Sequence, residues 1–315
     1  MSGSATGPLA VQYDGYGGAE VLQLRRIEPP KPGAGDVVVD VKAASVNPID
    51  WKVRSGMLRQ HFPVTFPATT GRDGAGVVIA TAPNVDAAWI GANVCFMAPR
   101  GVGTWAQQIA LPAAMLVRTP ASPGFEQAAL PLAGVSAWIG LVETAKISAG
   151  MRVLIHAAAG GVGHLAVQIA RERGAEVIAT CSAANLDFVR GIGASEVIAY
   201  DQAAFDERVR DVDVVFDVIG GDVHARSYKV LKRGGVMACL AAAPFQDQGA
   251  AHGVEVRMAR VMPDPAALSA VVALAGAGRL NVCVDLVLRL ADFAKAQAAS
   301  QGGHARGKTV ITLAS

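Results

Sequence analysis

The stretch with the clearest chemical potential is Val153-Leu154-Ile155-His156-Ala157-Ala158-Ala159-Gly160-Gly161-Val162-Gly163. Val153 to Ile155 reads as a buried strand and Ala157 to Gly163 as a tight turn. Leu165, Ala166, Val167, Ile169 and Ala170 then follow at helical spacing. A helix that opens on such a turn aims unpaired N–H groups and its positive dipole end at the loop, which suits a phosphate. Ala158-x-Gly160-x-x-Gly163 is a variant of the dinucleotide fingerprint, with Ala at the first glycine position. Gly160 and Gly163 are thus placed in a turn suited to a pyrophosphate. Taken alone the signal is weak, because glycine turns that bind nothing look the same.

The second strand after the turn bears on which nucleotide is held. NAD enzymes of this kind place Asp or Glu about 20 residues past the glycines, where it bonds the ribose 2′-hydroxyl. Here the strand ends Ile178-Ala179-Thr180-Cys181-Ser182-Ala183-Ala184-Asn185, with no acid at its tip, and the next carboxylate is Asp187. Hydroxyl and amide donors at Ser182 and Asn185, without a carboxylate to repel a 2′-phosphate, favour NADP(H). Ser182 also suits a helix cap, and the two roles are compatible.

Other chemistry-bearing residues lead less far. His156 reads as a strand-end residue rather than a catalyst. Tyr228-x-x-x-Lys232 has the spacing of the short-chain dehydrogenases, but it precedes Gly234-Gly235 late in the chain and reads as coincidence. Cys95, Cys181, Cys239 and Cys283 are scattered, with no CxxC, and read as free thiols rather than zinc ligands.

These residues need a scaffold. From Val11 to Pro120 short apolar runs broken by Gly and Pro predict a β-rich region, with strands at Val37–Val41, Gly74–Ala80 and Val94–Met97. From Met151 the texture changes to alternation. Strands are expected at Val153–His156, Glu176–Thr180, Glu196–Ile198, Val212–Val218, Gly235–Leu240 and Val254–Val261. Helices are expected at Leu165–Arg173, Leu186–Ile192 and Ala225–Leu231. This order predicts an α/β fold with a doubly wound parallel sheet. A helix at Ala266–Ala275, a strand at Val282–Leu288, a helix at Ala291–Ala299 and a strand at Thr309–Leu313 complete the chain. The domains are expected at 1–122, 123–262 and 263–315, the last returning to the first.

A chain of 315 residues that is 52% hydrophobic and 17% charged can bury two cores. A net charge of +2 gives no reason to invoke nucleic acid or an anionic membrane. No apolar run reaches the roughly 20 residues needed to span a bilayer. The first residues carry neither the basic patch nor the apolar core of a secretory signal. A cytoplasmic location is expected.

Asn47-Pro48-Ile49-Asp50-Trp51-Lys52, Gly71-Arg72-Asp73-Gly74-Ala75-Gly76-Val77, the glycine turn at Ala157–Gly163 and His304-Ala305-Arg306-Gly307-Lys308-Thr309-Val310 occur in that order. On these motifs the chain resembles the medium-chain dehydrogenase/reductase superfamily, in its zinc-free quinone oxidoreductase and zeta-crystallin branch. It looks closest to NADPH-dependent alkenal and enone oxidoreductases. The resemblance implies a GroES-like, β-barrel-type catalytic domain beside a Rossmann NADPH domain. It implies backbone contacts from Gly161 and Val162 to the pyrophosphate, and cofactor contacts from Ser182, Asn185, Tyr200, Leu240, Arg306 and Gly307. Ser136, in Gly134-Val135-Ser136-Ala137-Trp138, keeps the hydroxyl of the family's Gly-x-Thr-Ala-Tyr motif. It also implies an active-site lysine at Lys52, with Asn47 near the nicotinamide. Zinc enzymes of this superfamily carry Cys near the position of Asn47 and Gly-His-Glu where this chain has Gly71-Arg72-Asp73, so no zinc is expected.

The implied activity is hydride transfer from NADPH to a quinone or to the carbon–carbon double bond of an α,β-unsaturated carbonyl. Lys52 would stabilise the developing enolate oxygen, and water would supply the final proton, since Trp51 offers no acid. The alternatives are a non-catalytic NADPH-binding redox sensor or structural protein, and a one-electron quinone reductase. The expected partners are a small-molecule quinone or enone and, by resemblance, a second copy paired through Val254–Val261. No nucleic acid or membrane partner is expected.

Overall fold

The alternation after Met151 resolves in a computed structural model that describes residues 6–120, 124–240, 245–303 and 305–313. The chain forms two units. One holds residues 1–132, 262–272 and 284–315, and the other holds 133–261 and 273–283. The expected boundary at 122/123 falls outside the described residues, and residues 273–283 cluster with the second unit.

The first unit is β-rich. It contains β1 (Leu9–Tyr13), β2 (Gln23–Arg26), β3 (Asp36–Val46), β4 (Ala68–Thr69), β5 (Asp73–Thr81), β6 (Asn93–Met97), β7 (Gln108–Pro112) and β8 (Leu116–Arg118). The long strand β3 is its hub. It pairs with β5 along one edge, while its other edge is shared between β7 and a late strand. Its pairing with β5 carries two register shifts, between Val38 and Val39 and between Val41 and Ala43. A Cβ at Gly76 would sit 2.3 Å from the Asp40 carbonyl, so glycine here is what permits the approach of β5 to β3. The apolar core of this unit is built around Trp105 and Phe96, both fully buried.

The Asn-Pro segment is a helix, Pro48–Arg54, rather than a bare turn. Proline at its first position lacks only an N–H that would be unpaired there anyway. Asp50 Oδ2 accepts the Asn47 N–H at 2.8 Å, closing the helix start.

The second unit holds β9 (Arg152–Ile155), β10 (Glu176–Cys181), β11 (Glu196–Ala199), β12 (Val212–Asp217), β13 (Leu231–Cys239) and β14 (Glu255–Met258). They form one parallel sheet in the order β11-β10-β9-β12-β13-β14. The strand order reverses between β9 and β12, the place where doubly wound folds bind ligands. Val153, Leu154, Ile155, Val215 and Phe216 are wholly buried, as central parallel strands require.

The helix expected at Ala225–Leu231 begins earlier, at Gly221, and ends at Ser227. Asp217 Oδ1 accepts the N–H groups of Ile219 and Gly220, both at 2.9 Å, and turns the chain at once after β12. Strand β13 then starts at Leu231. Finally β15 (Val284–Arg289) and β16 (Lys308–Thr312) pair in parallel, and β16 adds antiparallel to β3 in the first unit.

Candidate active site

The glycine turn forms as the spacing predicts, and the helix Gly163–Glu172 rises from it. Ala157 adopts φ +50°, a left-handed conformation unusual for a residue with a side chain. The turn is pinned on both sides: Ala158 N–H donates to Thr180 O at 2.9 Å and Gly160 N–H to Ala157 O at 2.9 Å. A Cβ at Gly163 would lie 2.1 Å from the Ala157 carbonyl, so only glycine fits. Gly160, Gly161 and Val162 stay partly accessible, while Gly163 is buried. The first amides of a helix have no intrahelical acceptor. This cradle fits a dinucleotide pyrophosphate.

His156, at the end of β9, is fully buried. Its Nδ1 lies 3.0 Å from Thr180 Oγ1 and its Nε2 2.9 Å from Ser227 Oγ. Burial lowers its pKa to about 4, so it is a neutral structural imidazole at neutral pH, as the sequence implied.

Ser182 and Asn185 come together after β10, with Asn185 Nδ2 donating to Ser182 Oγ at 2.9 Å. Tyr200, at the end of β11, is 57% exposed, and its N–H donates to Cys181 O at 3.0 Å. The absence of an acid needs correcting here. It holds along β10 only, because Asp201 reaches the same turn from the next strand. Ala183 N–H lies 2.9 and 3.2 Å from the two Asp201 carboxylate oxygens. A count of residues along one strand could not find a group brought in by its neighbour.

Leu240 caps the end of β13, its N–H donating to Asp217 O at 2.8 Å. Ser136 is buried in the helix Pro131–Trp138. Arg306 is exposed in the bend before β16, and Gly307 beside it takes φ +76°. His304 of the same motif lies outside the described residues. Lys52 is partly exposed on the helix Pro48–Arg54, its Nζ 5.6 Å from the centroid of the Trp51 ring.

Asn47 has a different setting from the one its motif alone indicates. It is 4% exposed, with its amide tied into a buried network. Its Nδ2 donates to Asp73 Oδ1 at 2.8 Å and to Ser45 Oγ at 3.1 Å. Its Oδ1 accepts from the ammonium of Lys308, which also donates to Val46 O at 3.1 Å. Ser45 Oγ donates to Asp73 Oδ1 at 2.6 Å, and Asp73 Oδ2 accepts the Leu132 N–H at 2.9 Å. Strand register explains the meeting: Thr309 pairs with Val46 and Gly74 with Ala44, which puts Lys308 and Asp73 beside the end of β3.

The cost of burying charge is visible here. Burial lowers the Lys308 pKa, and the carboxylates of Asp73 and Asp50 oppose that shift. Asp50 is raised to about 7, first by burial and then by Asp73, against the pull of the Asn47 N–H, Lys308 and Arg72. One of its oxygens, Oδ1, has no hydrogen-bond partner. Sequence motifs contained Ser45, Asp73 and Lys308 or stood beside them, but gave no sign that they form one network.

The first unit thus carries Lys52 on a helix that starts beside a buried charged network, and the second carries the pinned glycine turn. Two family models match the chain: an alcohol dehydrogenase GroES-like domain over residues 33–121 and a zinc-binding dehydrogenase over residues 192–311. A chloroplastic quinone-oxidoreductase from Triphysaria versicolor is 31% identical over 96% of this chain and 97% of its own. A chloroplastic quinone-oxidoreductase homolog from Spinacia oleracea is 39% identical over 61% of this chain, and the match spans 60% of that relative's length. An NADPH-dependent alkenal/one oxidoreductase from Arabidopsis thaliana is 36% identical over 73% of this chain and 62% of its own. Among solved structures, the quinone oxidoreductase from Coxiella burnetii superposes with a TM-score of 0.87 at 29% identity, covering 97% of this chain and 99% of that one. The chain belongs to the medium-chain dehydrogenase/reductase superfamily, among the quinone oxidoreductase homologues, a family that binds NAD(P)H.

Proposed function

We propose that this protein is a zinc-independent reductase that uses NADPH to reduce a quinone or the carbon–carbon double bond of an α,β-unsaturated carbonyl. The observation that carries the proposal is the pinned glycine turn, where Gly163 is packed against the Ala157 carbonyl at the start of a helix. Similarity to quinone and alkenal oxidoreductases supports the choice of acceptor.

When bound, the nicotinamide supplies the hydride. Gly160, Gly161, Val162 and Gly163 hold the pyrophosphate with backbone. Ser182, Asn185 and Tyr200 hold the 2′-phosphate end, and Leu240, Ser136, Arg306 and Gly307 complete the contacts. Lys52 places a cation where negative charge grows on the acceptor oxygen. Asn47 acts as a positioning residue: its amide is fixed by Lys308 and Asp73 at the cap just before the helix that carries Lys52. Solvent returns the proton. Zinc independence is supported by the residues at the family's metal positions. An amide bound by a buried ammonium (Asn47) and a guanidinium (Arg72) offer no thiolate or imidazole. The protein is proposed to act on small molecules as a homodimer in the cytoplasm. Among the described residues no helix is long and apolar enough to cross a membrane.

The test is oxidation of NADPH, with NADH as control, against a panel of alkenals, enones and quinones after treatment with a chelator. Turnover that survives chelation is expected. NADPH binding without hydride transfer to any acceptor in the panel would overturn the reading.

A further inference from the structure

At the carboxyl ends of β12 and β13, within the second unit, Asp217, His224 and Cys239 are all buried. One ligand atom from each lies within 4.8 Å of the others. His224 Nδ1 is 2.9 Å from Asp217 Oδ2 and 3.7 Å from Cys239 Sγ. Among the described residues no other group of three His, Cys, Asp or Glu side chains converges in this way. None of the three belongs to the glycine turn or to the Asn47–Lys308 network.

We infer that these three side chains form a binding site for a zinc-class divalent cation, separate from the hydride chemistry. Tetrahedral zinc with metal–nitrogen, –oxygen and –sulfur bonds of about 2.0–2.3 Å separates N from O by about 3.3 Å and N from S by about 3.5 Å. The observed N–O separation of 2.9 Å is shorter than this and the N–S separation of 3.7 Å slightly longer, with all three ligand atoms within 4.8 Å of one another, so the side chains must shift to admit the ion. Thiolate and imidazole donors select a borderline metal over magnesium or calcium. The carboxylate and the thiolate together cancel the double positive charge, which a buried site needs.

The outer partners fit the same reading. Asp217 Oδ1 is held by two backbone N–H groups, leaving Oδ2 for the metal. Nε2 of His224 lies 2.8 Å from the Tyr228 hydroxyl. With the cation on Nδ1, the imidazole proton moves to Nε2 and is donated to Tyr228. The tyrosine already accepts the Gln248 N–H at 2.9 Å and has the Gln246 carbonyl 3.4 Å away for its own proton. An imidazole tied through its second nitrogen is the usual setting of a metal-bound histidine. The Cys239 thiol gives up its proton to solvent. Of the three, His224 lines a cavity of about 360 Å³ together with Gly221, Ala225, Phe245, Gln246 and Gln248, which gives an ion a route to the imidazole. Occupancy would tie the helix Gly221–Ser227 to the strand ends next to Leu240.

The experiment is titration of the reduced, metal-stripped full-length protein with Co²⁺. Saturation at one equivalent is expected, with a thiolate-to-cobalt charge-transfer band and the visible bands of four-coordinate cobalt, both displaced by Zn²⁺. C239S should lose the charge-transfer band, H224Q should weaken binding at least tenfold, and C181S should behave as wild type. Circular dichroism confirms the fold of each variant, and C239A replaces C239S if the serine protein is unfolded. Absence of a saturable band in the wild-type protein, a band unchanged in C239S or C239A, or equal loss in C181S would overturn the proposal.

Discussion

Two buried polar networks sit at strand ends, one in each unit, and they are built in opposite ways. In the first unit Ser45, Asn47, Asp73 and Lys308 come from segments far apart in the chain: the Lys308–Asn47 bond joins residues 261 positions apart. That network carries formal charge of both signs. In the second unit Asp217, His224 and Tyr228 lie within one loop and helix, their bonds spanning 7 and 4 positions. The contrast separates two uses of burial. A local chain of hydrogen bonds shapes a turn, while a charged cluster gathered from distant strands ties a sheet together and holds the helix that starts at Pro48. The second kind is costly to desolvate and fails badly when one member is lost.

The largest expected effect therefore comes from Lys308→Met. It leaves Asn47 Oδ1 and Val46 O without their donor and removes a buried cation from Asp73 and Asp50. Chemical denaturation should show a loss of about 3 kcal/mol. A loss as small as that of a surface lysine would break the comparison.

Asp50→Asn follows, with a dependence on pH. An ordinary aspartate titrates near 4, and the fold raises Asp50 to about 7. The folded protein then binds more protons than the unfolded chain between those values, so stability is highest at acid pH and is lost as pH rises through about 7. Asparagine removes that slope. The variant should equal wild type near pH 4 and exceed it at pH 9, by as much as about 4 kcal/mol. Denaturation midpoints measured across that range decide it, and an unchanged slope sinks the assignment.

Tyr228→Phe tests the local network and should cost less, about 1–3 kcal/mol, because it unpairs Gln248 N–H and His224 Nε2 but no charge. Its effect should be similar from pH 6 to pH 9. A pH dependence as steep as that of Asp50 would erase the distinction between the two networks.

The smallest effect is expected at Asp201→Asn, where no fold is at stake. Removing a carboxylate beside Ser182 and Ala183 should raise the NADPH-to-NADH preference a few-fold, by relieving repulsion of the 2′-phosphate. Ratios of kcat/KM for the two cofactors measure it, and a shift toward NADH would contradict the placement of the phosphate.

What the sequence determined by itself was local. Apolar runs and punctuation marked the strands β9, β10, β11 and β12. The glycine spacing marked the tight turn before the helix Gly163–Glu172, and ordered motifs marked the family. Each is written in neighbouring residues, because a helix or a tight turn is decided within a few positions. The structure decided what depends on register. Pairing of β16 with β3 brought Lys308 to Asn47, and β10 beside β11 brought Asp201 to a turn that looked free of acid. Likewise β12 beside β13 brought Cys239 to His224. Such groups share no spacing in the chain. Backbone hydrogen bonding fixes which strands lie side by side, and that adjacency alone sets which charges must be buried together.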